Sequence, residues 1–173
     1  IEGQMLFAAF TGFMAASYSG SLILGIICGV AGAVTLGLFL AWAAVTLKMD
    51  QIIAGTVINI FAIGTTSFYY VQGRTMPSFP EWSIVGLRDI PVIGPAFFEN
   101  GPLTYFALVI AFVVWIALFR TRWGLRTRAV GEHPGAADTV GISVIGTRYI
   151  NLMIAASLAG VAGLHLLQSA SAF

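Results

Sequence analysis

Apolar residues run along this chain in long continuous blocks and do not alternate with polar ones. Residues 3–47 carry no formal charge, and Ser19-Gly20-Ser21 is the turn signal within that stretch. A helix needs about 20 mostly apolar residues to cross a bilayer, and in lipid only helices or closed barrels satisfy their backbone groups. The blocks therefore predict five helical membrane segments, at residues 5–18, 22–47, 52–71, 103–119 and from 149 towards the end.

The composition makes a membrane protein the natural class. The chain is 58% hydrophobic and 9% charged, with a mean hydropathy of +0.93, whereas a soluble domain carries about 25% charged residues. We therefore predict an all-α, polytopic transmembrane helical bundle that forms a single domain over residues 1–173. The chain opens without Met and stops inside an apolar run, so we expect a fragment truncated at both ends. The net charge of +1 does not favour a nucleic acid polymer as a partner.

Loop charges predict the orientation, because Lys and Arg accumulate on the cytoplasmic side of a membrane. Six of the eight basic residues fall in two connections, with Lys48 in one and Arg120, Arg122, Arg126, Arg128 and Arg148 in the other. We therefore expect a cytoplasmic coupling loop at residues 120–148 and an external loop at residues 72–102. The external loop holds five of the six prolines, which predicts an ordered cap without helix.

Small residues recur along the second segment at every fourth position. They are Gly25, Gly29, Ala33, Gly37 and Ala41. In lipid, helices associate by close backbone approach, which a ridge of small side chains permits. The ridge predicts tight helix packing inside a bundle and says nothing about cargo.

The stretch RAVGEHPGAADTVGI, residues 128–142, is polar amid apolar surroundings. Pro134 suits the first position of a helix, and Gly141 suits a C-terminal stop. The helix between them has fewer than two turns, which is unstable alone in water. Two interpretations follow from the physics: a docking element whose small residues let a partner come close, or a surface helix that lies on lipid.

Polar residues near the start of the chain and on the third segment indicate a transport pathway or polar contacts inside the bundle. Asn59, Thr66 and Tyr69 share one helical face. Asn59 either lines the pathway or forms an interhelical hydrogen bond. Glu2 and Gln4 stand at a glycine-broken helix start, which is tolerated only beside protein or a wet cavity. These five residues are the candidate pathway residues.

Enzymatic chemistry is not predicted. The sequence has no His/Cys/Asp/Glu cluster with metal-ligand spacing, no GxSxG elbow and no phosphate-binding P-loop. We therefore expect no catalytic residue, no metal and no cofactor on this chain. His165 in the last segment is expected to form an interhelical contact, with a role in the pathway as the alternative.

Four stretches carry a resemblance to a known family. RAVGEHPGAADTVGISV followed by TRYI resembles the cytoplasmic coupling segment of ABC transporter permeases of the branched-chain amino acid and simple-sugar class. IEGQML resembles their motif near the start of an early membrane helix, LKMDQIIAGTVINIFAIGTTSF their next cytoplasmic turn and span, and LRDIPVIGPAFF their outer loop. Together these stretches resemble the subgroup that works with a basic-membrane-lipoprotein receptor, whose cargo is typically a nucleoside. Gly135 departs from the family pattern, because an acidic residue is common there.

The resemblance implies a permease subunit of an ATP-driven importer in the bacterial cytoplasmic (inner) membrane. Its implied partners are a cytoplasmic ATP-binding subunit that holds ATP and Mg, a second permease subunit, an external substrate-binding lipoprotein and membrane lipid. By position, the residues that couple to the ATPase are Glu132, His133, Pro134, Gly135, Ala136, Ala137, Asp138 and Gly141. A bulky residue at Ala137 is expected to block docking and to leave membrane insertion intact.

Alternatives stay open within and beyond this class. A simple sugar or a branched-chain amino acid is the alternative cargo. An ATP-independent channel or secondary carrier is the alternative of a different class, and a purely structural membrane subunit is a third possibility.

Overall fold

The computed structural model describes residues 1–70 and 102–171, and every regular element in them is helical. The helices are α1 (Glu2–Ser19), α2 (Leu22–Ala41), α3 (Gln51–Tyr69), α4 (Pro102–Arg120), α5 (Arg122–Glu132), α6 (Pro134–Thr139) and α7 (Val144–Ser171). A π-helical turn, Trp42–Thr46, extends α2. The predicted all-α bundle is confirmed. The expected external loop at residues 72–102 lies outside the described residues, apart from Pro102 at the start of α4.

Three stretches of the described chain are long and apolar enough to cross a bilayer: Leu22–Thr46, Gln51–Tyr69 and Val144–Gln168. A fourth crossing is reached only if Thr104–Arg120 and Arg122–Glu132, which are bent against each other, count as one span. The structure therefore gives three or four spans where the sequence predicts five segments. The predicted segment that is not apolar enough for a membrane span in either count is α1. It packs against α2, α3 and α7. Because protein surrounds α1, it needs no continuous apolar surface.

The chain divides into two compact units, Ile1–Pro77 with Arg126–Phe173, and Ser78–Leu125. In the second unit, α4 ends at Arg120, and the hydroxyl of the next residue, Thr121, donates to the carbonyl oxygen of Ala117. The Gly124 N–H donates to the Thr121 hydroxyl oxygen at 3.2 Å and starts α5. A Cβ on Gly124 would overlap the carbonyl oxygens of Ala117 and Leu118, so the break needs glycine.

In the first unit, the ridge of small residues on α2 meets two neighbouring helices. Its members, Gly25, Gly29, Ala33, Gly37 and Ala41, are all buried. A Cβ added at Gly29 would lie 2.9 Å from the carbonyl oxygen of Ala8 on α1 and 2.8 Å from Leu164 Cδ2 on α7. These distances leave no room for a side chain, so the backbones of α1, α2 and α7 touch nearly directly.

The partners of the ridge fix the direction of α7. Leu164 packs at Gly29, Gly160 at Ala33 and Ala156 at Gly37, so α7 runs antiparallel to α2. Leu164 is the largest fully buried side chain of the described residues, and ten of their fourteen buried hydrophobic residues are Ala. The core is therefore built from backbone and methyl groups.

The short connection between α2 and α3 is fixed by local bonds. Lys48 adopts a left-handed backbone with φ 56°, and the Met49 N–H donates to the carbonyl oxygen of Ala43 at 3.1 Å. Asp50 caps α3, because its Oδ1 accepts from the Ile52 N–H at 2.8 Å. The chain therefore reverses within a few residues, and α3 runs antiparallel to α2.

Candidate functional site

The short helix α6 starts as its proline predicts. Pro134 occupies the first turn, where a missing N–H costs nothing, and His133 precedes it as N-cap without a side-chain hydrogen bond. The Ala137 N–H donates to the carbonyl oxygen of His133 at 3.0 Å. The helix spans six residues, Pro134–Thr139.

The C-terminus of α6 is closed by a pair of backbone hydrogen bonds. The Gly141 N–H donates to the carbonyl oxygen of Asp138 at 2.9 Å, and the Ile142 N–H donates to that of Ala137 at 3.0 Å. Gly141 has φ 81°. This is the Schellman arrangement, in which a left-handed residue, usually Gly, lets the last carbonyl groups find donors. Local bonds therefore hold a helix that is too short to persist by length alone.

The residues of α6 face two ways. Ala137 is only 3% exposed and packs into the chain itself, whereas Gly135, Ala136 and Asp138 are exposed. Glu132 and His133, just before the helix, are exposed as well. A bulky residue at Ala137 would therefore displace the chain's own neighbours first. The residue whose enlargement meets only an incoming partner is Ala136.

A shallow groove of about 330 Å³ separates α6 from the start of α7. Its lining residues are Pro134, Gly135, Asp138, Ser143, Val144 and Ile145. The groove thus combines a carboxylate, a hydroxyl and apolar side chains within one small surface. A partner could bind this face through both polar and apolar contacts.

Two side-chain contacts lie at the end of the bundle next to α6. The hydroxyl groups of Thr46, at the end of the π-helical turn, and Tyr149 on α7 form a hydrogen bond. The Thr127 hydroxyl on α5 lies 3.4 Å from Asn151 Oδ1 on α7. The connection between α2 and α3, with Lys48, and the connection around α6 therefore lie at the same end of the first unit.

Of the candidate pathway residues, Asn59 and Thr66 lie where α1 meets α3. The Gly3 N–H, one of the unpaired donors at the start of α1, donates to Asn59 Oδ1 on α3 at 2.8 Å. A Cβ on Gly3 would lie 2.6 Å from that oxygen and 2.9 Å from the Asn59 Cα. Asn59 thus forms an interhelical hydrogen bond, and this close approach requires glycine at position 3.

Gln4 and Thr66 are the buried polar side chains of the described residues, at 3% and 8% exposure. Gln4 lies beside Gly37 of α2. Gly37 precedes Thr46 by nine residues, which is about 13 Å along a helix. The polar contact between α1 and α3 therefore lies well inside the bundle, away from the end that carries Lys48.

A groove of about 460 Å³ follows the same contact towards the other end of α3. It is lined by Leu6, Ala9 and Phe10 of α1, Thr66 and Ser67 of α3, Tyr70 just beyond it, and Leu167 of α7. Among the candidate pathway residues only Thr66 lines it. Glu2 is exposed, and Tyr69 is 58% exposed and packs edge-on against Phe68.

Sequence reasoning missed Phe10 and Tyr70. The buried stripe on α3 is Ala54, Ile58, Ala62 and Thr66, which are four residues apart. Tyr70 is the extended residue that follows α3 and is 62% exposed, so the helical stripe could not have selected it. No local signal separated Phe10 from the other apolar residues of α1.

The interhelical role expected for His165 stays a prediction. Its Nδ1 is buried and has no hydrogen-bond partner in the part of the chain that the structure describes. The same residues contain no group of three His, Cys, Asp or Glu side chains that could hold a metal ion.

Comparison with known proteins gives a match over the whole chain. The family model described as "Branched-chain amino acid transport system / permease component" matches residues 1–173. No solved structure gives a significant match to the chain.

Three relatives show how far the similarity extends. The chain is 37% identical over 173 residues to a putative glucose ABC transporter permease of Haloferax volcanii, covering 96% of this chain and 52% of that protein. It is 38% identical over 177 residues to a guanosine ABC transporter permease of Bacillus subtilis, covering 94% and 56%. It is 41% identical over 138 residues to a nucleoside ABC transporter permease of Lactococcus lactis, covering 76% and 44%. The chain thus spans about half the length of these relatives.

Proposed function

Because the chain belongs to the branched-chain amino acid transport permease family, we propose that it is the membrane-spanning permease subunit of an ATP-driven importer that carries nucleosides. Its partners are a cytoplasmic ATP-binding subunit, a second permease subunit and an external substrate-binding lipoprotein. Residues 120–148 face the cytoplasm, residues 72–102 face outwards, and the membrane is the bacterial cytoplasmic membrane.

One observation carries the coupling role: α6 is a six-residue helix that is closed by local bonds and keeps Gly135, Ala136 and Asp138 exposed. The basic connections lie at the same end of the first unit, in agreement with a cytoplasmic position. The small exposed residues let a groove on the ATP-binding subunit approach the α6 backbone. Glu132, His133 and Gly141 flank this face and complete the coupling segment.

Motion at α6 has a short route into the membrane helices. α7 begins five residues after Thr139, and the Tyr149–Thr46 hydrogen bond joins α7 to the π-helical turn of α2. Closure of the ATP-binding subunits would therefore move α7 and α2 together, since both belong to one closely packed bundle. Alternating access follows if that bundle moves against the second permease subunit.

Two of the relatives support a nucleoside as cargo, because one is a guanosine permease and another a nucleoside permease. A sugar is the second candidate, favoured by the similarity to a putative glucose permease over 96% of the chain. Reconstitution of the full-length importer with its receptor distinguishes the two candidate cargoes. ATP turnover is measured with guanosine, with glucose and, as a third test ligand, with isoleucine. Stimulation by guanosine is expected. Stimulation by glucose or isoleucine alone would overturn the nucleoside assignment.

The coupling role is tested at Ala136. Ala136→Trp places a large ring on the exposed face of α6 and is expected to reduce the ATP-binding subunit that co-purifies with the permease by about tenfold or more, the equivalent of ~1.4 kcal/mol. Ala136→Ser keeps the residue small and should bind as the parent does. Both variants should reach the membrane fraction in parental amounts, since neither residue packs against the bundle. Undiminished binding by the Trp variant would contradict the docking role.

A further inference from the structure

The groove between α1 and α3 brings aromatic rings and hydroxyl groups together on one surface. α1 contributes the ring of Phe10, and Thr66, Ser67 and Tyr70 contribute three hydroxyl groups. Its volume of about 460 Å³ falls in the range of small-molecule sites, which is roughly 300–1,000 Å³. The groove is therefore suited to a ligand of mixed polarity.

Hydrogen-bond accounting shows what Thr66 can offer such a ligand. The Thr66 hydroxyl donates its proton to the carbonyl oxygen of Ile63 at 3.1 Å. A hydroxyl group has one proton and two lone pairs, so Thr66 can only accept a further hydrogen bond. A ligand that hydrogen-bonds to Thr66 must therefore bring a donor, such as a ring N–H or an amino group.

The aromatic side chains restrict the chemical class of the ligand further. Phe10 and Tyr70 lie on the same groove as the Thr66 acceptor. Flat heterocyclic rings stack well on aromatic side chains, whatever the identity of the base. A nucleobase combines such a face with N–H donors at its edge, whereas a free sugar has the donors and lacks the planar π-face.

The position of the groove agrees with a place early in an import pathway. Thr66 follows Gln51, the first residue of α3, by fifteen residues, which is about 22 Å along the helix. The groove thus lies towards the end of α3 opposite to Lys48 and α6. In the proposed orientation that end faces outwards, where a receptor releases its cargo.

Resting on the proposed function, we propose that this groove is a nucleobase subsite of the importer. Phe10 and Tyr70 hold the flat ring of the base, and Thr66 accepts a hydrogen bond from its edge. Asn59 has a different role, because its Oδ1 is already bonded to the Gly3 N–H and holds α1 against α3.

The test is photolabelling of the full-length permease with its ATP-binding subunit by 8-azidoguanosine, with excess guanosine or glucose as competitor. Labelling of the parent complex is expected to be suppressed by guanosine and unaffected by glucose. Phe10→Leu removes the aromatic face and Thr66→Val removes the acceptor, and each should lower labelling by about tenfold, as loss of a stacking or hydrogen-bonding group does. Phe10→Tyr restores a ring and should restore labelling.

The matched control variants are on α3, the helix that carries Thr66. Phe68→Leu removes an aromatic ring that is 81% exposed and does not line the groove. Thr56→Val removes an exposed hydroxyl that, like Thr66, donates to a carbonyl of its own helix, in this case to Ile52 at 2.8 Å. Both controls should label as the parent does, and co-purification of the ATP-binding subunit shows which variants are assembled.

The outcomes separate the subsite from the proposed function. If guanosine delivered by the receptor stimulates ATP turnover but assembled Phe10→Leu and Thr66→Val complexes label as the parent does, the subsite is overturned and the importer role stands. If only glucose or isoleucine stimulates ATP turnover, both the nucleoside assignment and the nucleobase subsite are overturned. Equal loss of labelling in the Phe68 and Thr56 controls would also overturn the subsite.

Discussion

The two candidate regions of this molecule are built by opposite means. Around α6, the determining hydrogen bonds join Gly141 to Asp138 and Ile142 to Ala137, over three and five residues of sequence. Where α1 meets α3, the determining hydrogen bond joins Gly3 to Asn59, over 56 residues. The bonds that close the first region lie within its own short sequence, whereas the second region exists only when the bundle has assembled. Substitutions should therefore act locally in α6 and globally at the α1–α3 contact.

The largest effect is expected for Gly3→Leu. The added side chain would meet Asn59 backbone and side-chain atoms within 3 Å, and the free energy of unfolding should fall by about 3 kcal/mol, as in severe overpacking. Denaturant titration of the full-length permease in micelles measures this change. Gly55→Leu on α3 is the matched control, since nothing lies within 4 Å of its added Cβ, and should change stability by less than ~1 kcal/mol. Similar losses in both variants would remove the requirement for glycine at position 3.

A smaller and strictly local effect is expected for Gly141→Ala. The left-handed φ of 81° costs a residue with a Cβ about 1–2 kcal/mol, so the end of α6 should open more often. Hydrogen exchange at the Ile142 amide should accelerate by roughly fivefold to thirtyfold, while the denaturant midpoint of the whole permease stays unchanged. Gly135→Ala is the control, because its φ is not positive. A shift of the global midpoint would show that α6 is not independent of the bundle.

Asn59→Leu should have a modest global effect. The substitution removes the acceptor for the Gly3 N–H, and interhelical hydrogen bonds in membranes contribute about 0.6 kcal/mol on average and up to ~1.7. We expect a loss of about 1 kcal/mol in the same micellar titration. Thr56→Val, an exposed polar-to-apolar change on the same helix, serves as the reference. A loss no greater than that of the reference would show that the hydrogen bond contributes nothing to the assembled bundle.

The smallest effect is expected at the hydrogen bond between the π-helical turn after α2 and α7. Tyr149→Phe and Thr46→Val each remove one partner of the same hydrogen bond, and each should cost about 0.5 kcal/mol. Because they break one interaction, the double variant should cost no more than either single variant. Additive losses in a double-mutant cycle would show that the two hydroxyl groups act separately.

The same contrast explains which features could be predicted from the sequence. The limits of α3 were predicted to within two residues, since continuous apolar runs bounded by polar turns encode helices locally. Pro134 and Gly141 marked the ends of α6 for the same reason, because each imposes a backbone preference on its own position. These signals need no knowledge of any distant residue.

Features that depend on tertiary contacts were missed. The sequence did not indicate the π-helical turn Trp42–Thr46 or its contact with Tyr149, which is 103 residues away from Thr46. It selected Tyr69 as a candidate pathway residue and did not select Tyr70, which lines the groove. The direction in which Ala137 faces was also unpredictable, since a six-residue helix of small side chains has no apolar periodicity to orient it.

The core of the first unit is made mostly of Ala and Gly, and its larger buried side chains among the described residues are Leu36, Ile58, Val130 and Leu164. Outside these four positions, truncation deletes little side-chain volume. The core has no space for larger side chains, because each added methyl group pushes two main chains apart. Tolerance to mutation should therefore depend on the direction of the size change. In a random library, substitutions that shrink a residue should mostly leave the protein active, and substitutions that enlarge a residue should account for most of the inactive clones.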